Sequence, residues 1–264
     1  MAAGAVGFPV RRGHRNVGRP DWSRRVGLGG AEFRLPLLIT LFRFRGLEAV
    51  ILNKATSLVV VAAALPFRAS TISLAEFGAQ WPIIVNLLAG SLFGAWVGAS
   101  WATRLRSETL YRIIAVLLVL IAGVLLSAHD TTAGAPLFAA WIQIIAGIIA
   151  GFAIGVIASL LGVAGGELLI PTLVLLFGTD IKLGGSLSLV VSLPTMLVGF
   201  TRYSRDQSFS VLGRNWVFLL VMVAGSIVGA FIGGHLLGFV ANRVLLPLPA
   251  ALLLISAVKV WRHE

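Results

Sequence analysis

The chain has 264 residues, 58% of them hydrophobic and 12% charged, with a formal net charge of +11 and no cysteine. An ordinary soluble domain is about half apolar and a quarter charged, so this composition excludes a soluble enzyme and a disordered chain and predicts a membrane protein. The absence of cysteine excludes a disulfide framework, an iron–sulfur cluster and a thiol relay.

The positive charge comes mainly from arginines that lie near the N-terminus and between apolar runs. Cytoplasmic loops of multi-pass membrane proteins have this pattern. We therefore expect a lipid bilayer as the partner. A nucleic-acid partner is not expected, because a DNA-binding protein needs a soluble basic face with base-reading side chains.

Residues 1–26 differ from the rest of the chain, since arginines lie there among glycine and proline. No apolar core follows them, so they do not read as a signal peptide. We predict a disordered cytoplasmic tail or a false start of the reading frame. A contact of the arginines with the lipid surface is the weaker alternative.

Apolar segments then follow one another to the C-terminus. We predict the long ones to be membrane-spanning helices, because a backbone in lipid must satisfy its own hydrogen bonds. The segments are Phe33–Phe42 (short), Leu47–Pro66, Trp81–Thr103, Ile113–Ala128, Pro136–Leu161, Leu168–Phe177 (short), Leu183–Thr201, Trp216–Ala241 and Val244–Val260.

The chain contains an internal repeat. Gly27–Pro36 aligns without a gap with Gly162–Pro171, and Gly90–Gly98 aligns with Gly225–Gly233; position 27 maps to 162 and position 90 to 225, a shift of 135 in both cases. We predict a tandem duplication, with repeats at 27–128 and 136–261. The second repeat opens with a long apolar segment where the first has only the basic tail, so the first repeat is expected to lack its leading helix.

The arginines also predict orientation. Basic loops mark the cytoplasmic side, whereas residues 127–135 have no lysine or arginine and are assigned to the outside. The second repeat then begins outside and ends inside, so it must cross the membrane an odd number of times. This favours inverted repeats, which are common in transporters. The loop residues are Arg104, Arg106, Arg112, Arg202, Arg205 and Arg214.

The paired glycines at Gly165 and Gly166 follow a long apolar helix and predict a break at membrane depth, where exposed backbone must line a cavity or be buried in protein. The first turn of the next short helix carries partial positive charge and suits an anion. A kink that only eases packing is the alternative.

Both repeats resemble the sulfite exporter TauE/SafE family of membrane permeases over roughly residues 27–260. The matching positions are Gly29, Gly30, Pro36 and Thr56-Ser57 in the first repeat, and Gly165, Gly166, Pro171 and Leu187-Ser188 in the second. The chain departs from the family pattern in having a glycine pair for a triplet, no threonine before Ser188 and no leading helix in the first repeat. The resemblance implies transport of sulfite, thiosulfate or organosulfonate anions, driven by an ion gradient without ATP.

Glu32 and Glu167 occupy the same repeat position beside the breaks. Because an ionisable residue at membrane depth is costly, we consider them candidates for coupling a proton to anion passage. A carboxyl group that caps its helix is an equal alternative.

Hydroxyl groups of Thr56, Ser57, Ser186 and Ser188 lie just inside the next span and could donate to sulfonate oxygens or only bond neighbouring helices. Lys54 lies within an apolar stretch, and we favour snorkelling of its side chain to the interface over anion attraction.

Arg34 is interpreted as a local, solvated partner at a broken end. The Gly-x3-Gly-x3-Gly stripes at 90–98 and 225–233 favour close helix packing. His235, beside the second stripe, is expected to bond a neighbouring helix rather than to join a proton path.

An enzyme is not expected. Neither a phosphate-binding loop nor a zinc-binding His-Glu-x-x-His motif occurs, and Ser91 or Ser226 with His235 lacks the spacing of an intramembrane hydrolase. No cofactor or metal is predicted.

The sequence therefore predicts an all-α, multi-pass membrane protein of two repeats whose broken half-helices meet near the midplane, in a cell membrane of the bacterial inner-membrane type. A truncated, non-transporting subunit is the other open alternative. The predicted substrate contacts are Gly29, Gly30, Thr56, Ser57, Gly165, Gly166 and Ser188, with Glu32 and Glu167 for coupling.

Overall fold

A computed structural model describes residues 31–69, 78, 80–127, 140–179, 181–236 and 247–261, and every regular element in these ranges is a helix. The predicted tail 1–26 and the first glycine pair lie outside them. The helices are α1 (Ala31–Thr40), α2 (Gly46–Ala69), α3 (Trp81–Ala102), α4 (Ser107–Ser127), α5 (Ala140–Leu161), α6 (Gly166–Phe177), α7 (Ile181–Tyr203), a 3-10 turn (Gln207–Ser210), α8 (Val211–Arg214), α9 (Trp216–Leu236) and α10 (Pro247–Trp261).

Four of the described helices, α2, α3, α5 and α7, contain stretches long and apolar enough to cross a membrane. A fifth crossing is possible where residues Gln207–Arg214 meet α9 at a bend of 74°. The 12-residue α6 spans only about 18 Å, too short for a hydrocarbon layer of about 30 Å. The predicted all-α membrane fold is confirmed.

The helix starts recur along the chain. Helices α1, α2 and α3 begin at residues 31, 46 and 81, and α6, α7 and α9 begin at 166, 181 and 216. Each start is shifted by the same 135 residues that relate the two sequence motifs. At that shift α5 corresponds to residues 5–26, which the structure does not describe.

The closest helix pair is α3 with α5. A Cβ atom on Gly90 or Gly94 would collide with the backbone of Ile148 or Phe152, so only glycine allows this approach. On α5, a Cβ on Gly155 would meet the carbonyl oxygen of Ser91. The interpretation of the first glycine stripe as a packing face is confirmed.

Helices α2 and α7 cross the centre of the molecule in opposite directions. Lys54, early in α2, lies against Gly199 near the end of α7. Val61, later in α2, shares an apolar cluster with Leu189, early in α7. Equivalent helices at the 135-residue shift are therefore antiparallel.

Two arginines tie the helix ends together on one side. Arg202 Nε donates to Ser100 Oγ at 2.7 Å, next to the end of α3, and Arg214 Nη2 lies 2.8 Å from Glu48 Oε1, at the start of α2. The segments that contain Arg202 and Arg214 were both assigned to the cytoplasmic side. They lie beside the end of α3 and the start of α2.

Candidate functional site at the helix break

The break between α5 and α6 depends on glycine. Helix α5 ends at Leu161, and Gly162 and Gly165 then adopt φ values of +66° and +77°. L side chains rarely adopt this left-handed region, and a Cβ on Gly162 would also collide with the carbonyl oxygen of Val50. The chain turns here inside the protein, and α6 begins at Gly166.

The end of α5 is capped by side chains from other helices. Asn53 Nδ2 donates to the carbonyl oxygen of Leu161 at 3.0 Å, and Tyr203 Oη donates to that of Ser159 at 2.8 Å. Lys54 Nζ lies 3.4 Å from the carbonyl oxygen of Ala158. The last carbonyls of a helix have no partner within it, and in lipid only protein donors can satisfy them. Those of Ala158 and Ser159 also accept from the backbone N–H groups of Val163 and Gly162.

The same asparagine also bonds the start of α1. Asn53 Nδ2 donates to the carbonyl oxygen of Ala31, the first residue of α1, at 2.9 Å. Asn53 is fully buried. The start of α1 and the end of α5 therefore lie one hydrogen bond from the same nitrogen atom.

Lys54 does not snorkel, and the interpretation that it does was wrong. Its side chain is 0% exposed, and Nζ also donates to Ser159 Oγ at 3.3 Å. A cation near the end of a helix is stabilised by the negative end of the helix dipole. The carbonyl of Ala158 and the hydroxyl of Ser159 bond Lys54 Nζ inside the protein and take the place of water.

Arg34 is not the local, solvated group that the sequence suggested. Its side chain is part-buried, with Nη2 donating to Ser57 Oγ at 2.6 Å and Nη1 to Ser226 Oγ at 3.0 Å. It thus connects α1 with α2 and α9. Sequence spacing gave no sign of the second contact, which joins residues 192 positions apart.

The predicted hydroxyl groups are buried, but they differ in their bonding. Thr56 Oγ1 donates to the carbonyl oxygen of Leu52, and Ser188 Oγ to that of Gly185, so both protons are used within their own helices. Ser57 accepts from Arg34.

At the 135-residue shift the counterpart of Ser57 is Ser192 rather than Ser188. Ser192 is 1% exposed, and within the described residues its Oγ has no hydrogen-bond partner.

Of the predicted carboxylate and glycine positions, the structure describes those at the start of α6. Gly165 precedes α6, Gly166 is its first residue, and Glu167 lies buried in its first turn. Gly29 and Gly30 are outside the described residues, and so is the side chain of Glu32. This position is compatible with both roles considered for Glu167, coupling of a proton to anion passage and capping of the helix.

Asn53 and Tyr203 were not among the predicted site residues. A detectable signal was present for Asn53, a polar residue next to a lysine in the middle of an apolar stretch. Tyr203 gave none, because its partner lies on another helix 44 residues away.

A groove of about 300 Å³ between α4 and α10 lies elsewhere. It does not suit an anion, because its lining side chains are apolar and carry no charge. They are Ala115, Val116, Val119, Ala257, Val258 and Trp261.

Comparison with curated proteins and with solved structures gave no match. A family model, described as sulfite exporter TauE/SafE, matches residues 24–260, nearly the whole chain. This match agrees with the apolar helices, and the family is one of membrane permeases. The chain belongs to the sulfite exporter TauE/SafE family.

Proposed function

We propose that this protein is a secondary transporter that carries a small sulfur-containing anion, such as sulfite, thiosulfate or an organosulfonate, driven by an ion gradient. The observation that carries the proposal is the double hydrogen bond of Asn53 to Ala31 and Leu161. It holds the start of one short helix beside the break that precedes the other.

Two repeats of opposite orientation are part of the proposal. The recurring helix starts and the antiparallel course of α2 and α7 support it. In transporters of this plan the substrate lies between the repeats, where half-helices end near the midplane, and one repeat rocks against the other.

The electrostatics of the break favour an anion. Asn53, Lys54 and Tyr203 occupy the carbonyls of α5, so the electronegative end of that helix is neutralised. The first turn of α6, at Gly166 and Glu167, is the electropositive end of its helix. An anion at this end is attracted when the Glu167 carboxyl in the same turn is protonated and repelled when it is ionised.

Buried basic groups support the same assignment. Lys54 is fully buried and the side chain of Arg34 is part-buried. Ion pairing in a low-dielectric interior offsets part of the desolvation cost of a bound anion. The predicted contacts at Gly29, Gly30, Gly165, Gly166, Thr56, Ser57 and Ser188 belong to this proposal, with Glu167 and Glu32 as the coupling groups.

The experiment is uptake of ³⁵S-labelled sulfite, thiosulfate and taurine into proteoliposomes under an imposed pH gradient, without ATP. We expect uptake of at least one anion above that of protein-free liposomes. Glu167→Gln should abolish stimulation by the pH gradient while leaving exchange of labelled for unlabelled substrate. Glu108→Gln is the matched control, because Glu108 lies exposed at the start of α4.

Two results would contradict the proposal separately. No flux of any of these anions would favour the non-transporting subunit. Full stimulation of Glu167→Gln by the pH gradient would remove the proton role of Glu167 and leave the transport function intact.

A further inference from the structure

Two arginines share one tryptophan ring where α3 and α7 end. The guanidinium carbon (Cζ) of Arg202 lies 5.9 Å from the centre of the Trp96 ring, and that of Arg205 lies 5.6 Å from it. A guanidinium group at such a distance is attracted to the face of a tryptophan ring. The ring therefore holds two positive charges close together, although like charges repel each other.

Neither guanidinium group has a carboxylate partner in the described part of the chain. Arg202 Nε donates to Ser100 Oγ at 2.7 Å, which is the one described hydrogen bond of its side chain, and the side chain of Arg205 has none there. The carboxylate next to them in the sequence, Asp206, accepts from the backbone N–H group of Ser208. Since the formal net charge of the whole chain is +11, its own carboxylates cannot neutralise all of its arginines.

Helices α3 and α7 run in the same direction, so both end on this side. Ser91 Oγ lies 2.8 Å from Thr195 Oγ1, and farther along both helices Ser100 bonds Arg202. The two membrane-spanning stretches end at Ala102 and Tyr203. The arginines after these ends predict the cytoplasmic side, and the cytoplasmic leaflet is the one that carries anionic lipids.

The surface beside the arginines is apolar and exposed. Phe93 and Trp96 on α3 are 65% and 39% exposed, and Leu197 on α7 is 44% exposed. Trp96 lies about 9 Å inside the end of α3, and tryptophan is enriched near the level of the lipid headgroups. A molecule that fits this surface has a negative group at the arginines and an apolar chain along the helices.

An anionic phospholipid has both parts. We propose that Arg202, Arg205 and Trp96 form a binding site for an anionic phospholipid, with its phosphate between the two guanidinium groups and an acyl chain along Phe93 and Leu197. Guanidinium groups suit a phosphate because each can donate two parallel hydrogen bonds to its oxygens. A headgroup of net negative charge is preferred to a zwitterionic one, because the site carries two positive charges.

Native mass spectrometry of the full chain in detergent tests the site, with phosphatidylglycerol and phosphatidylcholine of the same acyl chains as probes. We expect phosphatidylglycerol to bind more tightly, and Arg205→Gln to weaken its binding about fivefold. The helix contacts should persist, since no described hydrogen bond depends on the Arg205 side chain. Arg45→Gln, at an exposed position between α1 and α2, is the matched control and should bind as the wild type does.

Two further variants distinguish a formed site from surface charge. Arg205→Lys keeps the charge but loses the planar guanidinium group, and Trp96→Leu keeps an apolar side chain but loses the ring. We expect both to weaken the binding of phosphatidylglycerol. Inorganic phosphate in excess should not displace the lipid, because it has no acyl chain.

Four results would overturn the proposal. Equal binding of the two lipids would remove the preference for an anionic headgroup, and equal weakening by Arg205→Gln and Arg45→Gln would remove the location. Wild-type binding by both Arg205→Lys and Trp96→Leu would reduce the effect to surface charge. Displacement of the lipid by inorganic phosphate would indicate a site for a free anion. None of these results depends on whether the protein transports an anion.

Discussion

Asn53 shows how one side chain makes an interrupted helix tolerable in lipid. Its amide nitrogen serves two buried carbonyls that belong to different helix ends, and both bonds are shorter than 3.1 Å. A buried acceptor left without a donor costs about 1–3 kcal/mol. The side chain is therefore expected to matter more for stability than its size suggests.

We predict that Asn53→Ala lowers the free energy of unfolding by about 1–3 kcal/mol, because the buried carbonyl of Leu161 loses its side-chain donor and that of Ala31 keeps only its helical one. Thermal unfolding in detergent measures the effect. Asn86→Ala is the matched control, since Asn86 donates one bond, at 3.2 Å, in an exposed setting. Equal destabilisation by the two substitutions would show that the break does not depend on Asn53.

Substitution of Lys54 can distinguish a structural role of its side chain from an electrostatic one. Lys54→Met keeps a long apolar chain in the space that Gly199 leaves open but removes the charge. We predict a folded protein, with a single symmetric peak on size exclusion, whose anion flux falls about tenfold or more because the site loses a buried cation. Lys259→Met, at an exposed position on α10, should transport normally. Normal anion flux in Lys54→Met would show that Lys54 only caps the C-terminal end of α5 and does not act on the anion.

At the scale of helices, the two glycine stripes provide a matched pair of substitutions. Gly94 on α3 and Gly229 on α9 are related by the 135-residue shift, but among the described residues only Gly94 contacts another helix. We predict that Gly94→Val destabilises the detergent-solubilised monomer by about 1–3 kcal/mol through overpacking, and that Gly229→Val changes its stability little. Thermal unfolding of both variants at low protein concentration tests this, and a reversed order would contradict the packing described for α3 and α5.

The sequence predicted elements better than partners. Apolar length and glycine spacing located every described helix of ten residues or more, because both are local properties of the chain. The surroundings of the Lys54 and Arg34 side chains were predicted wrongly. They depend on contacts with Ala158 and Ser226, which are distant in the sequence. Whether a polar group in a span reaches water or a buried carbonyl is decided by tertiary packing.

Hydroxyl groups illustrate the same limit. Thr56 and Ser188 were predicted from their position after the breaks, and both are buried there, but each donates to the carbonyl three or four residues earlier in its own helix. Such bonds are available to any serine or threonine in a helix. A sequence therefore identifies candidate hydroxyls without deciding which of them remain available to a substrate.

At the scale of the whole molecule, the two halves are alike in helix order and unlike in what covers them. Helix α5 covers the glycine face of α3, whereas the equivalent face of α9 is open in the described chain.

The central claim is that the two broken segments meet, and cross-linking tests it most directly. Ala31→Cys with Leu161→Cys places thiols at the two positions whose carbonyls share Asn53, and a short bismaleimide should link them efficiently in membranes, as peptide mass spectrometry would detect. Thr40→Cys with Leu161→Cys is the control, since Thr40 lies at the other end of α1, about 14 Å along the helix. Linking in the first pair and not in the second is the predicted result. Absence of linking in both, or equal linking in both, would contradict a shared site at the helix breaks.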